Sequence, residues 1–358
     1  MRHEPRRSAQ RPIKVVAAMV LALTVLAALV APSSKAAAPG GWNVRSFLRS
    51  RTTTQPTTST TSTTSTTSTT STTSTTSTTT TSTTTTQPVV TAAKQTAPGC
   101  GGVALAKPSG GTWTCTFDDE FDGTSLDRSK WVVQQTSNSG YHSGQECFVD
   151  SPDNVSVGGG VLSLTVKQVG TPMYCVDAHG GYVSSYTSGM VSTWGLFSQA
   201  YGRFEVRAKV PPVAVKGLQS SFWLYPQDST YGAWPASGEI DIAEVYSQYA
   251  DRAIPYVHYL DGGQDPNVTN NYCYVADTSK FHTYTVEWTP DSLTFTYDGT
   301  TCLVDRWNPA IGQTRPQPFD QPFIVCLTQA LGIGSNSFDP ATTPLPSTTQ
   351  IDYARVWR

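Results

Sequence analysis

The chain has 358 residues, enough for one large domain or two ordinary ones, and its 24 basic and 26 acidic residues leave a formal charge of -2. This near balance excludes a protein that binds nucleic acid through a strongly basic face. Charged residues make up 14% of the chain and hydrophobic residues 38%. The first hundred residues differ in composition from the remainder, so these averages describe neither part well.

The first 38 residues have the pattern of an export signal. Five basic residues precede an uncharged apolar run over residues 15–31, and Ala36, Ala37 and Ala38 follow it. This order is typical of a secretory signal peptide with an Ala-x-Ala-like cleavage site. The alternative is a retained N-terminal anchor, because an apolar run of this length is only just long enough to span a bilayer.

Residues 39–111 are predicted to be a linker and lead-in. Residues 52–88 are almost entirely Thr and Ser, which supply no apolar surface to offset the entropy lost on ordering, so we expect this tract to be disordered. Such a tract is typical of an O-glycosylated spacer. Removal of residues 1–38 would take away six basic residues and one acidic residue, leaving 18 basic and 25 acidic residues and a net charge of -7. That charge disfavours an anionic partner.

All seven cysteines follow the Thr/Ser-rich tract of residues 52–88. Proximity in sequence predicts the pairs Cys100–Cys115, Cys147–Cys175 and Cys273–Cys302, with Cys326 left as a buried thiol in an apolar run. Disulfides are compatible with an exported protein. The cysteine and histidine spacings do not resemble a zinc site.

Residues 112–358 are predicted to form one all-β domain. Alternating or nearly alternating hydrophobicity predicts strands over residues 161–166, 203–209, 282–288 and 350–357. Asp298-Gly299 favours a tight hairpin turn between strands over residues 293–297 and 301–304. Many short strands with little helix indicate two stacked antiparallel sheets, one of which can curve so that its outer face lines a cleft.

The most informative segment is a strand with three acids, Glu239, Asp241 and Glu244. Strict alternation would place Glu239 and Asp241 on one face and bury Glu244, at a cost of several kcal/mol. One extra residue near Ala243, accommodated as a β-bulge, returns Glu244 to the acidic face.

With the bulge, four effective strand steps separate the backbones of Glu239 and Glu244. If the two side chains lean towards each other, this spacing predicts roughly 5 Å between their carboxylates. That is the separation of a retaining glycosidase. One of the three acids is also expected to have a raised pKa, because like charges this close cannot all form at the usual pH. On residue chemistry alone, a Ca²⁺ site or a merely acidic surface strand remains open.

The segment around these acids resembles the signature of glycoside hydrolase family 16 in its bulged, laminarinase-like form. Further similarity runs in order over most of residues 114–358, through FDDEFDG at 117–123, YGRFEVRAKVP at 201–211, FHTYTVEW at 281–288 and IDYARV at 351–356. The resemblance implies a concanavalin-like β-jelly roll with a cleft on its concave sheet. It also implies Glu239 as nucleophile, Glu244 as general acid/base and Asp241 as the helper between them, with no cofactor required and a structural Ca²⁺ still possible.

Six residues are candidates for sugar binding: Trp234, Trp223, His258, Asn154, Tyr246 and Gln329. Aromatic rings suit the apolar faces of sugars, although a Trp in a β-sandwich is more often part of the core. A lone His is more often structural, and Asn154 has an Asx turn before a strand as its alternative.

We therefore expect a secreted or cell-surface, monomeric, retaining endo-β-glycosidase acting on a neutral polysaccharide, a β-1,3-glucan first of all. The alternatives are a non-catalytic carbohydrate-binding relative, a transglycosylase and a galactan hydrolase on the same fold. Neither a nucleic-acid partner nor stable membrane insertion after signal cleavage is expected.

Overall fold

The computed structural model describes residues 99–177, 180–309 and 312–358. The predicted signal peptide and the Thr/Ser-rich tract lie outside the described residues. The described part contains sixteen strands, one short α-helix (α1, Thr136–Ser139) and two single 3₁₀ turns. The strands are β1 (Cys115–Asp119), β2 (Val132–Val133), β3 (Cys147–Phe148), β4 (Val155–Gly158), β5 (Val161–Cys175), β6 (Tyr182–Ser188), β7 (Met190–Ser192), β8 (Gly202–Lys209), β9 (Leu218–Pro226), β10 (Glu239–Tyr246), β11 (Ile254–His258), β12 (His282–Trp288), β13 (Leu293–Tyr297), β14 (Thr300–Asp305), β15 (Phe323–Leu331) and β16 (Ser347–Trp357).

The strands form two sheets, as the alternating segments predict. A ten-stranded sheet has the order β14-β13-β12-β8-β16-β5-β6-β3, with β1 paired to β16 and β4 paired to β5. A six-stranded sheet has the order β11-β10-β9-β15-β7-β2. All the pairings between these strands are antiparallel except that of β3 with β6. The predicted all-β jelly-roll architecture of two antiparallel sheets is therefore confirmed.

The predicted hairpin is present between β13 and β14. Its two central residues, Asp298 and Gly299, have φ values of 46° and 79°. Positive φ at both positions is the requirement of a type I′ turn, whose twist matches that of the strands it joins.

The main hydrophobic core lies between the two sheets. It takes side chains such as Phe204, Val286 and Phe295 from the ten-stranded sheet and Phe222, Ile240 and others from the six-stranded sheet. A second apolar cluster includes Trp223 and Tyr225 of β9, Ile324 and Cys326 of β15, and residues outside these two strands. Strands β9 and β15 are thus buried on both faces.

The three predicted disulfides are all present, Cys100–Cys115, Cys147–Cys175 and Cys273–Cys302. Cys326 is a free buried thiol, also as predicted. Within the described part of the chain, no helix has both the length and the apolar character needed to cross a membrane.

Candidate active site

The acidic strand β10 contains the predicted bulge. Against β11, Asp241 pairs with Tyr256 and Glu244 with Ile254, so three steps along β10 match two along β11. Against β9 the register shifts between Asp241 and Ala243. The shift lies at the position that the sequence predicts for the extra residue.

Because of the bulge, one face of β10 is entirely apolar and the other carries the three acids. Ile240, Ile242, Ala243 and Val245 all belong to the core between the sheets, so two consecutive residues point inward at the bulge. The three acids consequently share the opposite face of the six-stranded sheet, which we call the site face and define by Glu239, Asp241 and Glu244.

A glycine sets the entry into this strand. Gly238 has φ +82°, and a Cβ at this position would lie 2.7 Å from the Phe319 ring. Both the backbone conformation and the close approach require glycine immediately before Glu239. The loop that carries Trp234 can therefore turn directly into β10.

Each acid has its own polar partners. The Trp234 indole N–H donates to Oε2 of Glu239 over 2.5 Å. Nε2 of His258, on the neighbouring strand β11, lies 3.1 Å from Oδ2 of Asp241. The three acids thus occupy different electrostatic surroundings although they lie on one strand.

Glu244 has two hydrogen-bond partners on the site face. The Gln219 side-chain amide donates to Oε1 over 2.6 Å, and the Tyr246 hydroxyl donates to Oε2 over 2.9 Å. Both oxygens of Glu244 are therefore held on the acidic face, away from the core that strict alternation would have assigned to it.

Burial is the main influence on the acid pKa values. Glu239 and Asp241 expose only 5% and 4% of their surface, whereas Glu244 is more accessible. Burial, together with the charge of Asp241, raises the pKa of Glu239 and that of Glu244 to about 8. Burial also raises the pKa of Asp241 to about 8. The site therefore retains carboxyl protons near neutral pH. The sequence predicts one raised pKa from the crowding of acids, whereas burial is the main cause and raises all three.

The carbonyl at the bulge is held from the opposite sheet. The hydroxyl of Tyr297, on β13, donates to the carbonyl of Ile242 over 2.8 Å. Tyr297 is 3% exposed and belongs to the core. A buried carbonyl at an irregular strand position would otherwise cost free energy. Tyr297 was not a predicted site residue, because its alternating strand pattern does not distinguish it from other core tyrosines.

Three of the predicted sugar-binding residues gather around the acids. Trp234 contacts Glu239, Tyr246 contacts Glu244, and His258 contacts Asp241. The His258 ring also lies 5.5 Å from the Trp234 ring, centroid to centroid. Their roles in sugar binding stay predictions.

Trp223 lies opposite Asp241 in the β9–β10 pairing but is covered. It is 3% exposed, and its indole N–H donates to the Thr328 hydroxyl over 3.0 Å. Its ring packs with Tyr141 and Tyr225. The contacts favour the core alternative for this tryptophan.

The structure contradicts the prediction that Gln329 contacts the sugar. Its side chain is 0% exposed, and its Oε1 accepts from the hydroxyls of Ser220 and Thr349. Thr349 belongs to the ten-stranded sheet, so Gln329 points between the sheets rather than to the site face. A residue with this orientation connects the sheets and does not reach a substrate on the outer face.

Asn154 also has a structural contact. It is 2% exposed, and its side-chain amide donates to the carbonyl of Thr165 over 2.8 Å. This bond attaches the start of β4 to β5, which favours the structural alternative.

Two site residues, Gln219 and Tyr256, were missed. Gln219 contacts Glu244, and Tyr256 stacks on His258 with ring centroids 4.1 Å apart. For Tyr256 the signal was its two-residue spacing from the candidate His258 on a strand. For Gln219 the sequence carries no comparable signal.

The donor atoms of Glu239, Asp241 and His258 lie within 4.8 Å of one another, a spacing that can hold a cation. Two carboxylates and an imidazole suit a transition metal better than Ca²⁺, which takes six to eight oxygen ligands.

Comparisons with known proteins show similarity over most of the part of the chain that the structure describes. A family model described as the GH16 domain of beta-porphyranases A to D matches residues 114–358. The glucan endo-1,3-beta-glucosidase A1 of Niallia circulans is 30% identical over 268 residues, covering 68% of this chain and 37% of that protein. The chain thus spans little more than a third of that relative's length.

Two further similarities extend over nearly the whole of the compared protein. The glucan endo-1,3-beta-glucosidase of Cryptopygus antarcticus is 27% identical over 263 residues, covering 69% of this chain and 93% of that protein. The crystal structure of the laminarinase from Rhodothermus marinus superposes with a TM-score of 0.57 at 30% identity, covering 69% of this chain and 97% of that one.

Proposed function

The chain belongs to glycoside hydrolase family 16, and from this premise we propose that it is a secreted, retaining endo-β-glycosidase whose substrate is a β-1,3-glucan. The observation that carries the proposal is the bulged strand β10, which presents Glu239, Asp241 and Glu244 on one face. Two of the relatives described above are named for endo-1,3-beta-glucosidase activity. The three disulfides support secretion.

In the proposed mechanism, Glu239 is the nucleophile. The Trp234 indole can only donate a hydrogen bond, so the oxygen it contacts is an acceptor and the bond favours the ionised carboxylate. An ionised Glu239 attacks the anomeric carbon as the bond from that carbon to the glycosidic oxygen breaks, so that a covalent glycosyl-enzyme intermediate forms and the leaving sugar departs. The roughly 5 Å separation predicted from the strand spacing supports this double displacement over direct attack by water.

Glu244 is the proposed general acid/base. Its partner Tyr246 carries a hydroxyl that can either donate or accept, so this contact survives both protonation states of Glu244. Protonated Glu244 gives its proton to the glycosidic oxygen, and the resulting carboxylate then activates the water that releases the sugar. Asp241, beside His258, lies between the two glutamates along the strand and modulates their protonation.

The glucan preference and the need for a metal are tested together. Full-length protein is incubated with laminarin, a β-1,3-1,4-glucan and the galactan porphyran, with and without EDTA, and new reducing ends are measured. We expect release from laminarin at the same rate in EDTA, with initial products that retain the β configuration by NMR. Cleavage of porphyran but not of laminarin would show that the substrate is a galactan and not a glucan. Loss of activity in EDTA would show that Glu239, Asp241 and His258 bind a metal that the reaction needs.

A galactan hydrolase is the second candidate, because the matching family model is that of beta-porphyranases. The expected net charge of -7 after signal removal opposes a strongly anionic substrate. Transglycosylation would appear in the same assay as products longer than a supplied oligosaccharide. A monomer in solution is the proposed assembly state.

A further inference from the structure

A cluster of exposed tyrosines lies beyond the acid/base end of the site. Tyr272, Tyr274 and Tyr249 expose 70%, 59% and 41% of their surface. Together with Arg252 they form what we call the tyrosine surface. Large aromatic side chains grouped in solvent are uncommon on monomeric proteins unless they bind something.

The backbone explains why these rings share a face. Residues 272–275 alternate, with Cys273 and Val275 in the core and Tyr272 and Tyr274 outside. This strip pairs with the segment before β11 through the Arg252–Tyr274 bridge and the hydrogen bond from the Ala253 N–H to the Cys273 carbonyl. The Cys273–Cys302 disulfide fastens the strip to β14.

Two of the exposed rings, those of Tyr249 and Tyr274, are held in place by Arg252. Its guanidinium lies 4.7 Å from the Tyr274 ring centroid and 5.0 Å from the Tyr249 ring centroid. Two hydrogen bonds at 2.8 and 3.1 Å pair the same guanidinium with the Asp251 carboxylate. The positive charge is thus compensated, and the Tyr249 and Tyr274 rings are ordered before any ligand arrives, which reduces the entropy lost on binding.

The tyrosine surface continues the site face. Glu244 pairs with Ile254, two residues after Arg252 along the same strand direction. Tyr246 contacts Glu244, and the Tyr249 N–H donates to the Tyr246 carbonyl over 2.8 Å. Arg252 lies six residues of extended chain, roughly 20 Å, from His258, which pairs with Glu239, but only two residues, roughly 7 Å, from Ile254, which pairs with Glu244. Tyr272 and Tyr274 lie on the next strip of chain beyond Arg252, so a polymer bound at the acids can reach them, whereas a short oligosaccharide centred on Glu239 does not.

We propose that Tyr249, Arg252, Tyr272 and Tyr274 form a binding platform for a remote stretch of the same neutral polysaccharide chain that occupies the active site. The apolar faces of sugar rings stack on the tyrosines, and the compensated charge of Arg252 suits a neutral ligand better than an anionic one. This platform rests on the proposed function, because its ligand is the proposed substrate. It adds affinity for polymer without contributing to bond cleavage.

The test compares polymer with a short substrate. Full-length Tyr272→Ala/Tyr274→Ala protein is assayed for KM on laminarin and for kcat/KM on a β-1,3-glucan trisaccharide. Binding to insoluble β-1,3-glucan particles is measured in parallel, with Glu239→Gln added to prevent hydrolysis. We expect polymer affinity to fall about tenfold, equivalent to about 1.4 kcal/mol, while trisaccharide kcat/KM stays unchanged.

Phe281→Ala is the matched control. Phe281 also stacks with cations, 4.8 Å from the Arg207 guanidinium and 4.9 Å from Nζ of Lys209, but it lies beside the ten-stranded sheet. Polymer binding should be unchanged in this variant. If the double variant unfolds at a lower temperature than its parent, Tyr272→Ala alone replaces it, since Tyr272 is the most exposed of the three rings.

The outcomes separate the two proposals. If the double variant binds polymer as well as its parent does, the platform proposal is wrong. The proposed function is judged separately, because it requires only that the parent hydrolyses laminarin. An equal loss on polymer and trisaccharide also overturns it, because the defect then lies at the acids. Tyrosine-dependent self-association without tyrosine-dependent glucan binding would assign the surface to a second copy of the chain and reject the platform.

Discussion

Replacing Tyr297 by Phe tests whether the bulge positions the proposed acid/base. The substitution keeps the ring and removes only the hydroxyl that donates to the Ile242 carbonyl over 2.8 Å. Leaving a buried acceptor without its donor costs about 1–3 kcal/mol. We expect a loss of about 1–2 kcal/mol in the free energy of unfolding, together with a fall in kcat of about tenfold as the bulge relaxes and Glu244 shifts.

Tyr284→Phe is the control for this experiment. Tyr284 lies on the adjacent strand, its ring centroid is 5.2 Å from that of Tyr297, and its buried hydroxyl has no hydrogen-bond partner among the described residues. Removal of an unpaired buried hydroxyl should leave stability unchanged or slightly increase it.

Urea unfolding gives the stability change, and laminarin hydrolysis across pH gives kcat and its pH dependence. Tyr297→Phe should reduce kcat and change the pH profile, because Glu244 would contact different partners. Unchanged kcat and an unchanged profile, despite the expected loss of stability, would show that the core hydroxyl supports the fold but not the position of Glu244.

Three further predictions concern the carboxyl groups. Glu239→Gln should abolish hydrolysis while the thermal melt stays close to that of the parent; near-normal turnover would refute the nucleophile role. Activity should fall as pH rises through about 8, where Glu244 loses its proton. The Tyr246 hydroxyl lowers the pKa of Glu244, so Tyr246→Phe should shift this alkaline fall in activity to higher pH. An unshifted alkaline fall in that variant would contradict the role of Glu244 as the general acid. Asp305→Asn should weaken the pH dependence of stability between about pH 4 and 8, measured by urea unfolding at several pH values, and an unchanged dependence would contradict the buried position of this acid.

The sign of the Asp305 effect follows from its burial. Asp305 is 0% exposed, and burial followed by the charge of Asp265 raises its pKa from 3.8 to about 8. A group whose pKa is higher in the folded state contributes its full stability below its unfolded pKa and loses it as pH rises through the folded value. One such proton changes the free energy of unfolding by up to about 1.4 kcal/mol per pH unit in that window. The site acids act in the same direction, so the comparison with the Asn variant isolates Asp305.

The substrate question depends on residues around the acids rather than on the acids themselves. The indole of Trp234 and the stacked pair of Tyr256 and His258 lie next to Glu239 and Asp241. These rings suit a sugar of either proposed class, because glucans and galactans both present apolar ring faces. The product profile on laminarin and porphyran therefore decides between them.

Local sequence patterns were enough to predict several of the long strands, the turn at Asp298-Gly299 and the bulge near Ala243. These features depend on local rules: alternation has a period of two, type I′ turns need two residues with positive φ, and burial of an unpaired carboxylate is costly. For Glu244 these rules left only one inexpensive orientation, and the bulge in β10 provides it.

The faces that the residues of β9 and β15 occupy follow from tertiary packing and not from a local pattern. Both strands are buried on both sides, so their hydrophobicity does not alternate and the sequence does not distinguish the core face from the site face. For this reason Gln329 was expected near the substrate but points between the sheets, while Gln219 was overlooked but contacts Glu244. The bond from Tyr297 to Ile242 likewise joins residues 55 positions apart, and a pairing across two sheets has no local signature.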